Sequence, residues 1–456
     1  MSRYLVAGVG IAGTASAKAL VKRGHHVVVY NREESPELTA LKSVAARTVV
    51  DDDLADELVA SVDAVVVSPG FPPHHRLVLA AQAAGVEVYS EPELAWRLRP
   101  ESAAPWLAVT GTNGKTTTVT MLASVLTAAG LRCAALGNVG EPLVDAVTED
   151  YDVLAVELSS QQLHWSRDLA PQAGAMLNLA DDHLSWHGDF DAYVRAKTAV
   201  WRGAVNVGNA DDPRVSALLS DASATSKIEF TLERPRPGQF GVAESQLVDF
   251  TGDRPLPLCP VEIVRPAGDH NVANALAAAA LARGHGVPAS AVAEGLAAYR
   301  PEPHRNVEIA VVDEVRYVDD SKGTNPHATA AAIESYDRIV WIAGGQLKGV
   351  SVDALVAAAA PRLRGAVLLG ADRDRIGEAL TRHAPTLPVV DVARTDEAAM
   401  AEAVDAAAAL AEPGCVVLLS PAAASYDMFS GYPERGRRFA EAVSALSGAK
   451  SSRARP

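Results

Sequence analysis

The 456-residue sequence is poor in cysteine and contains no long apolar run. Its cysteines are Cys133, Cys259 and Cys415, which lie far apart and form no C-x-x-C pair. This pattern argues against a disulfide framework or a zinc knuckle and is typical of a reducing compartment. No uncharged apolar stretch approaches the roughly 18–20 residues of a transmembrane helix, and the N-terminus lacks the apolar core and cleavage site of a signal peptide. We therefore expect a cytoplasmic protein that makes no membrane contact.

Positive charge is scarce as well, with 41 Lys and Arg residues against 56 Asp and Glu and a formal net charge of -15. Proteins that bind nucleic acids or anionic membranes use basic patches to neutralise phosphates. The composition therefore argues against both kinds of partner. A small anionic ligand is still compatible with it, because a few local lysines and backbone N–H groups suffice to bind one.

The length of the chain predicts about three domains, at roughly 100–200 residues each. Three segments each begin with an apolar, β-rich run and continue with alternating strand and helix patterns, which is typical of α/β domains. We place these domains at residues 1–102, 103–300 and 301–456. The predicted fold is α/β, with a Rossmann-like first domain, a central P-loop domain built on a parallel sheet, and a Rossmann-like third domain. A segment from about 220 to 259 is interpreted as a small antiparallel excursion.

The first domain opens with a glycine turn, Gly8-Val-Gly-Ile-Ala-Gly13, after the predicted strand Tyr4 to Ala7. The turn is half of a dinucleotide fingerprint, but a nicotinamide site would also place an acidic residue at the end of the second strand. Asn31 and Arg32 stand there instead. This counts against NAD, leaves NADP open and suits another phosphate-bearing ligand. A tight strand-to-helix turn without a ligand is the alternative.

The second domain opens with a shortened phosphate-binding loop after the predicted strand Trp106 to Thr110. Val109 takes the place of the first glycine in G-x-x-x-x-G-K-[ST], while Gly114, Lys115 and Thr116 fit the rest of the pattern. Such a loop aims backbone N–H groups and a helix N-terminus at phosphate oxygens, and its lysine and hydroxyl serve the outer phosphates and Mg²⁺. The sequence therefore predicts a nucleotide site.

Further along the domain, Glu157 and His183 follow predicted buried strands. Both are candidate ligands of Mg²⁺, although this metal prefers oxygen ligands and histidine is an untypical one. A hydrogen-bonded loop histidine is the alternative for His183. Lys197 lies on a predicted helix, where a lysine is ordinarily a solvated side chain.

The third domain carries an anion-binding pattern, Val318-Asp-Asp-Ser-Lys-Gly-Thr-Asn-Pro326, directly after a predicted strand. Gly344, Gly345 and Lys348 follow another strand, and Ser420-Pro-Ala-Ala-Ala-Ser425 follows a third. With Lys322, these groups predict a pocket that positions the carboxylates of a small substrate.

Motifs in all three domains together resemble one enzyme family. They are GTNGKTTT, ELSS, N-x-x-x-D-H, Ala196-Lys197, G-x-H-N-x-x-N at 268–274, PHR at 303–305, DDSKGTNP and LLSPAAASYDMF. In this order they resemble the Mur ligases of cell-wall synthesis, and among these the ligase that joins D-glutamate to UDP-N-acetylmuramoyl-L-alanine. DDSKGTNP and LLSPAAAS are the most specific to that member. The phosphate loop alone is also typical of folylpolyglutamate synthetases.

The resemblance implies a reaction and its cofactors. ATP would phosphorylate the carboxylate of UDP-N-acetylmuramoyl-L-alanine, and the amine of D-glutamate would attack the resulting acyl phosphate, so that catalysis is mostly positioning and charge stabilisation. ATP and Mg²⁺ at two sites are the implied cofactors. The two substrates are the implied partners, and the chain is expected to be a monomer.

The resemblance also assigns roles to individual residues. The implied ATP-binding residues are Gly111, Thr112, Asn113, Gly114, Lys115, Thr116, Thr117, Asn271, Asn274, Arg305 and Asp320. The implied Mg²⁺ ligands are Thr116, Glu157, His183 and Lys197, the lysine as its carbamate, and with Lys115 the last three are the implied catalytic residues. The implied UDP-substrate residues are Ile11, Ala12, Asn31, Arg32, Gly70, Asn138, Ser159 and His183. The implied D-glutamate residues are Lys322, Thr324, Lys348, Ser425 and Tyr432.

The sequence departs from the family pattern at three positions. Ser185 and Gln346 stand where acidic residues are common, and Tyr432 stands where phenylalanine is usual. The alternatives are a Mur or folylpolyglutamate-type ligase with another amino acid, a P-loop NTPase without ligation, an NADP-dependent dehydrogenase and a non-catalytic UDP-sugar or nucleotide sensor. The dehydrogenase leaves the phosphate loop unexplained, and the NTPase leaves the first and third domains without a role.

Overall fold

The computed structural model describes residues 1–45, 47–50, 55–301 and 303–453. The chain divides into two compact units, Met1–Val264 with Asn271–Tyr299, and Arg265–His270 with Arg300–Pro456. The first unit contains two β-sheets and the second contains one. Three sheets in series confirm the predicted α/β class, whereas the predicted domain boundaries at 102 and 300 stay predictions.

The first sheet has five parallel strands in the order β3-β2-β1-β4-β5. Leu5 packs on one face and Val6 on the other, because successive side chains of a strand alternate between the two faces and both faces are buried. The strands are β1 Arg3–Ala7, β2 His26–Tyr30, β3 Arg47–Val49, β4 Ala64–Val67 and β5 Glu87–Ser90. The helices are α1 Ile11–Lys22, α2 Pro36–Leu41, α3 Ala55–Ala60, α4 Arg76–Ala83 and α5 Glu91–Leu98.

The second sheet has nine strands in the order β14-β13-β12-β11-β10-β9-β6-β8-β7. Its strands are β6 Trp106–Thr110, β7 Cys133–Gly137, β8 Val153–Glu157, β9 Ala173–Met176, β10 Val205–Asn209, β11 Ser226–Phe230, β12 Gln239–Ala243, β13 Gln246–Phe250 and β14 Leu256–Pro260. Its helices are α6 Lys115–Ala128, α7 Leu143–Ala146, α8 Ser160–His164, α9 Leu184–His187, α10 Phe190–Thr198, α11 Pro213–Asp221, α12 Asp269–Gly284 and α13 Ala289–Ala298, with 3-10 helices at Ala199–Trp201 and Val261–Ile263.

The antiparallel excursion expected near 220–259 is only partly correct. Strand β11 pairs in parallel with β10, and β12 pairs in parallel with β11, so both extend the main sheet. The antiparallel part is confined to β12, β13 and β14. The short parallel strands were hidden from sequence reading because their apolar runs are brief and interrupted by polar residues.

The third sheet has the order β15-β16-β20-β17-β18-β19, with β15 antiparallel at one edge and the other strands parallel. Its strands are β15 Val307–Val312, β16 Val315–Asp319, β17 Ile339–Gly344, β18 Leu363–Leu369, β19 Val389–Asp391 and β20 Val416–Leu419. Its helices are α14 Pro326–Glu334, α15 Asp353–Ala359, α16 Arg373–His383, α17 Ala399–Leu410 and α18 Tyr432–Arg453, with a 3-10 helix at Ala360–Arg362. None of the helices described in either unit is long and apolar enough to cross a membrane.

The order of strands in each sheet determines which strand ends lie next to each other. In the second sheet β6 lies between β8 and β9, and Val109 pairs with Glu157 while Thr110 pairs with Met176. In the third sheet β20 lies between β16 and β17. Parallel neighbours end at the same edge, where ligands bind in open α/β sheets. The motifs that follow these strands are therefore brought together.

Candidate active site

The phosphate-binding loop connects β6 to α6 in a tight turn. Gly114 precedes the helix in a left-handed conformation with φ of 81°, and no side chain caps the helix there. A Cβ on this glycine would lie 2.3 Å from Oδ1 of Asn274, so both the backbone angle and the space exclude larger residues. The uncapped end of the helix and its positive dipole suit a phosphate. The geometry is that of a nucleotide-binding loop despite Val109.

The end of β8 places a carboxylate against the start of α6. Thr116 donates a hydrogen bond from Oγ1 to Oε2 of Glu157 at 2.6 Å, and the glutamate is 2% exposed. Oε1 of the same carboxylate accepts from Nδ2 of Asn138 at 2.8 Å. A hydroxyl and a carboxylate beside a phosphate loop are the oxygen ligands that Mg²⁺ prefers. The structure thus brings together two of the expected metal ligands, and Asn138 with them.

Lys197 is buried, although its position on a helix suggested a solvated side chain. Its side chain is 1% exposed and donates from Nζ to the Gly111 carbonyl at 2.7 Å and to Oγ1 of Thr110 at 3.3 Å. Nζ of Lys115 donates to the same Gly111 carbonyl at 2.9 Å. Burial, and next the charge of Lys115, hold the pKa of the Lys197 amine well below its usual value. A lowered pKa increases the fraction of a buried lysine that is in the neutral, nucleophilic form.

His183 lies in the loop after β9 and begins α9 in a left-handed conformation with φ of 51°. Its ring is exposed, and its Nε2 lies 3.6 Å from Oδ2 of Asp182. The negative charges of Asp182 and Glu157 both act to raise the pKa of the Lys197 amine, against the larger effects of burial and Lys115. No three His, Cys, Asp or Glu side chains converge as a metal cluster within the described ranges. A magnesium site needs few protein ligands, since phosphates and water supply the rest.

Two asparagines of α12 pack against the phosphate loop. Oδ1 of Asn274 accepts from Thr118 at 3.2 Å, and its Nδ2 donates to Oδ1 of Asn271 at 3.3 Å. Both are buried. Nearby, Ser159 caps α8 by accepting from the Gln162 N–H at 3.2 Å. Because the cap fixes the first turn of α8, Ser159 is held close to the end of β8.

The glycine turn of the first domain is tight and leaves side chains exposed on it. Gly8 has φ of 95°, and a Cβ on Gly13 would lie 1.9 Å from the Gly8 carbonyl, so both positions require glycine. Ile11 is 77% exposed and Ala12 half-buried. Ile11 and Ala12 are thus accessible at the start of α1, where the resemblance places the UDP-substrate.

Asn31 and Arg32 follow β2, as predicted. Nδ2 of Asn31 donates to the Glu33 carbonyl at 2.8 Å, and the Arg32 guanidinium lies 5.2 Å from the centre of the Phe71 ring. Beside them, the Pro69 carbonyl accepts from Nε1 of Trp186 at 2.9 Å. This bond joins the turn at Gly70 to α9, which follows His183.

In the second unit the acidic pair after β16 is buried. Oδ2 of Asp320 accepts from Ser420 at 2.6 Å, and its Oδ1 accepts from the Asn306 N–H at 3.1 Å. Burial raises the pKa of Asp320 to about 7, and the Arg305 charge opposes this rise. Asp319 is held separately, with Oδ2 at 2.6 Å from Nδ1 of His304.

The expected amino-acid residues follow β16, β17 and β20. Nζ of Lys322 lies 3.8 Å from the centre of the Tyr432 ring, a cation–π contact. Thr324 begins the turn into α14, and its N–H donates to the Lys322 carbonyl at 2.8 Å. Lys348 is exposed with φ of 52°, whereas Ser425 is 2% exposed. Gln346 pairs with Ala424 through two backbone hydrogen bonds, which joins the Lys348 loop to the Ser425 loop.

Several residues of the site were missed by sequence reading. Tyr193 donates to or accepts from Thr112 at 2.7 Å and lies beside Lys197. Oδ1 of Asn178 accepts from the Asn113 N–H at 2.8 Å. Arg435, in the first turn of α18, is buried against the loops after β16 and β20. Asn178 could have been found as the first letter of N-x-x-x-D-H, but no spacing signal marks the other two.

The chain matches three family models that together span most of its length. They are the Mur ligase MurD-like, N-terminal domain at residues 2–90, the Mur ligase middle domain at 109–282, and the Mur ligase, glutamate ligase domain at 304–423.

Curated relatives match the chain from end to end. A UDP-N-acetylmuramoylalanine--D-glutamate ligase of Thermobifida fusca is 51% identical, over 98% of this chain and 99% of the relative. An enzyme of the same name from Streptomyces coelicolor is 51% identical over 97% of both chains. One from Mycobacterium avium is 46% identical over 97% of this chain and 96% of the relative.

Solved structures share the fold at low identity. UDP-N-acetylmuramate-alanine ligase MurC from Thermotoga maritima has a TM-score of 0.60 at 19% identity, covering 98% of this chain and all of that one. A pseudomurein peptide ligase type C from Methanothermus fervidus has a TM-score of 0.58 at 18% identity, with 98% and 100% coverage. With the phosphate loop, the buried lysine and the acidic strand end in place, the chain belongs to the Mur ligase family.

Proposed function

We propose that this protein is an ATP-dependent ligase that joins D-glutamate to UDP-N-acetylmuramoyl-L-alanine in cytoplasmic peptidoglycan precursor synthesis. The products are the amide, ADP and phosphate. The observation that carries the proposal is the grouping of Lys115, Thr116, Glu157 and buried Lys197 around one phosphate loop. The end-to-end identity to relatives of that name supports the choice of substrates. We propose that the protein acts as a monomer.

The residues at the phosphate loop fit ATP and Mg²⁺. No side chain caps the start of α6 at Gly114, and the Thr116 hydroxyl is hydrogen-bonded to the Glu157 carboxylate. We assign Thr116 and Glu157 to one Mg²⁺ and His183 with Lys197 to a second. Bound Mg²⁺ would neutralise the charge that develops on the transferring phosphoryl group.

Lys197 fits the second metal only as a carbamate. Its neutral amine can add to carbon dioxide, forming an N–C bond and releasing one proton, and the product is a carboxylate with two oxygen ligands. A buried ammonium beside Lys115 would instead repel a metal. The lowered pKa of the amine therefore supports the carbamate.

The remaining residues position the reactants. Lys115 donates to the Gly111 and Thr112 carbonyls at 2.9 and 2.8 Å, and the same Nζ can turn to the outer phosphates of ATP. We assign Gly111, Thr112, Asn113, Gly114, Thr117, Asn271, Asn274 and Arg305 to the rest of the nucleotide, and Asp320 to its ribose. By binding ATP and the UDP-substrate together, these residues would make the attack of the substrate carboxylate on the γ-phosphate effectively intramolecular.

The substrate residues are proposed from the same assignment. For the UDP-substrate they are Ile11, Ala12, Asn31, Arg32, Gly70, Asn138, Ser159 and His183. For D-glutamate they are Lys322, Thr324, Lys348, Ser425 and Tyr432. Lysines and hydroxyls match the two carboxylates of this amino acid. The Tyr432 ring already contacts Nζ of Lys322.

The decisive measurement is phosphate release with ATP, Mg²⁺ and UDP-N-acetylmuramoyl-L-alanine while the amino acid is varied. We expect release that requires D-glutamate and is matched by amide product. A requirement for a different amino acid would indicate another ligase of the family. Release that is indifferent to every amino acid would indicate an NTPase and would reject the ligase.

A further inference from the structure

The first turn of α18 carries a buried arginine to which the proposed function assigns no role. Arg435 is 1% exposed. Its Nε donates to Oγ of Ser321 at 3.0 Å, and its Nη2 donates to the Ser321 carbonyl at 2.7 Å. Its Nη1 donates to the Ala423 carbonyl at 3.1 Å and, more weakly, to the Gly344 carbonyl at 3.4 Å. One guanidinium therefore makes four hydrogen bonds to three separate segments.

These three segments carry the residues assigned to D-glutamate. Ser321 directly precedes Lys322, Ala423 lies two residues before Ser425, and Gly344 ends β17 just before the loop that contains Lys348. The planar fork of an arginine side chain fixes the angles between its acceptors, and a lysine ammonium cannot reproduce that geometry. The Arg435 guanidinium thus fixes the positions of the three loops relative to one another.

A second contact ties the same helix turn to Lys322. Oγ of Ser321 donates to the Tyr432 carbonyl at 2.8 Å, and the Tyr432 ring lies against Nζ of Lys322. Ser321 is fully buried and accepts from Arg435 with the same hydroxyl that donates to Tyr432. Arg435, Ser321 and Tyr432 form a short chain that ends at the proposed carboxylate-binding lysine.

The guanidinium also brings charge to this part of the second unit. Burial lowers the pKa of Arg435 to about 10, so the side chain stays protonated at neutral pH. The negative charges of Asp427, Asp319 and Asp320 oppose this lowering of the pKa. The buried charge is therefore balanced by acids of the same unit, as expected for a residue that acts through the loops and not on the ligand.

We propose that Arg435 is a positioning residue that holds Lys322, Lys348 and Ser425 in the arrangement that binds the amino-acid substrate. The inference rests on the assignment of these residues to D-glutamate. Arg435 itself acts through the loops and does not contact the substrate.

The test compares Arg435→Lys and Arg435→Ala with the wild-type enzyme in steady-state ligation. We expect the KM for D-glutamate to rise at least about tenfold in both variants, as for the loss of charge-assisted hydrogen bonds. The KM values for ATP and the UDP-substrate should stay within about twofold, a difference too small to represent a lost hydrogen bond. Methylguanidinium added to Arg435→Ala should lower the raised KM again. The matched control is Arg437→Ala, on the same helix but 61% exposed.

Ser321→Ala provides a variant that keeps the arginine. The substitution removes the hydroxyl that accepts from the guanidinium and donates to the Tyr432 carbonyl, so the KM for D-glutamate should rise. Circular dichroism and the unfolding temperature should show that the variant is folded. An unchanged KM for D-glutamate in folded Arg435→Lys and Ser321→Ala would overturn the inference, as would an equal rise for all three substrates. If wild-type enzyme shows no dependence on D-glutamate, the proposed function fails instead.

Discussion

Lys197 shows how burial can change the chemistry of one residue. A solvated lysine on α10 would be replaceable, but this one is 1% exposed and shares a carbonyl acceptor with Lys115. We predict that Lys197→Ala lowers the ligation rate at least about a hundredfold, as for the loss of a group that stabilises transition-state charge. Short-chain carboxylic acids should restore part of the rate, because they replace the carbamate.

The matched control for this prediction is Lys227→Ala, since Lys227 is exposed and donates to the Ser220 carbonyl at 2.6 Å. Carbon NMR with labelled bicarbonate measures the carbamate directly, and its signal should vanish in Lys197→Ala. Full activity in that variant would exclude a role for the lysine at the metal.

Asp320 predicts a pH dependence of stability. Burial raises its folded-state pKa to about 7 from the ordinary value of 3.8. Between these values the folded state binds the proton and the unfolded state releases it, so stability falls as pH rises from about 4 to about 7 and is then constant. We predict that Asp320→Asn raises the unfolding temperature at pH 8 and leaves it nearly unchanged at pH 4.

Thermal unfolding followed by circular dichroism at both pH values measures this effect. The same substitution should raise the KM for ATP if the carboxylate binds the ribose. Asp374→Asn, at an exposed position of α16, serves as the control. An equal shift at the two pH values would contradict a titrating carboxylate at this position.

At the level of secondary-structure elements, the central features of the site could be read from sequence and the supporting ones could not. Strand β6 at Trp106–Thr110 was predicted to the residue, because an apolar run ends in threonine and glycine. Arg435 gave no signal, since its role depends on acceptors that are distant in the chain, such as Ser321 at a separation of 114 and Gly344 at 91. Burial of Lys197 was invisible for the same reason. Sequence patterns over a few residues predict secondary structure, whereas contacts between distant parts of the chain become visible only in the structure.

The turn into α6 is the element whose geometry most limits substitution. Gly114 and Gly130 flank the same helix with φ of 81° and 79°. A Cβ added to Gly114 would lie 2.3 Å from Oδ1 of Asn274, whereas one added to Gly130 would meet nothing within 4 Å. We predict that Gly114→Ala raises the KM for ATP at least about tenfold, because a clash adds to the roughly 1–2 kcal/mol of left-handed strain.

Gly130→Ala imposes the backbone strain without the clash, so it should lower the unfolding temperature slightly and leave the KM for ATP unchanged. Steady-state kinetics and thermal unfolding of the two variants separate the effects. Equal KM values for ATP in both variants would show that the contact with Asn274 has no bearing on nucleotide binding.

At the scale of the whole molecule, two carboxylates of α5 help to make one unit from two sheets. Glu93 is fully buried and accepts from the N–H groups of Arg167, Asp168 and Leu169 at 3.0 to 3.2 Å. Glu91 accepts from the Val144 N–H at 2.7 Å. The first and second sheets therefore share polar contacts as well as an apolar core that contains Leu94 and Trp106. The second unit has its own core around Trp341.

Separate cores predict separate unfolding transitions. We expect calorimetry to resolve two transitions, with UDP-N-acetylmuramoyl-L-alanine stabilising only the first unit, by about 2.7 kcal/mol at a hundred times its Kd. Glu93→Gln should destabilise the same unit by about 2 kcal/mol, because three N–H groups lose a charged acceptor. Glu101→Gln, an exposed position of the same domain, should change neither transition. A single transition whose temperature shifts with both the ligand and the Glu93 variant would contradict this prediction. It would show that the entire chain unfolds as one cooperative unit, because the substitution at Glu93 would then destabilise the core around Trp341 as well.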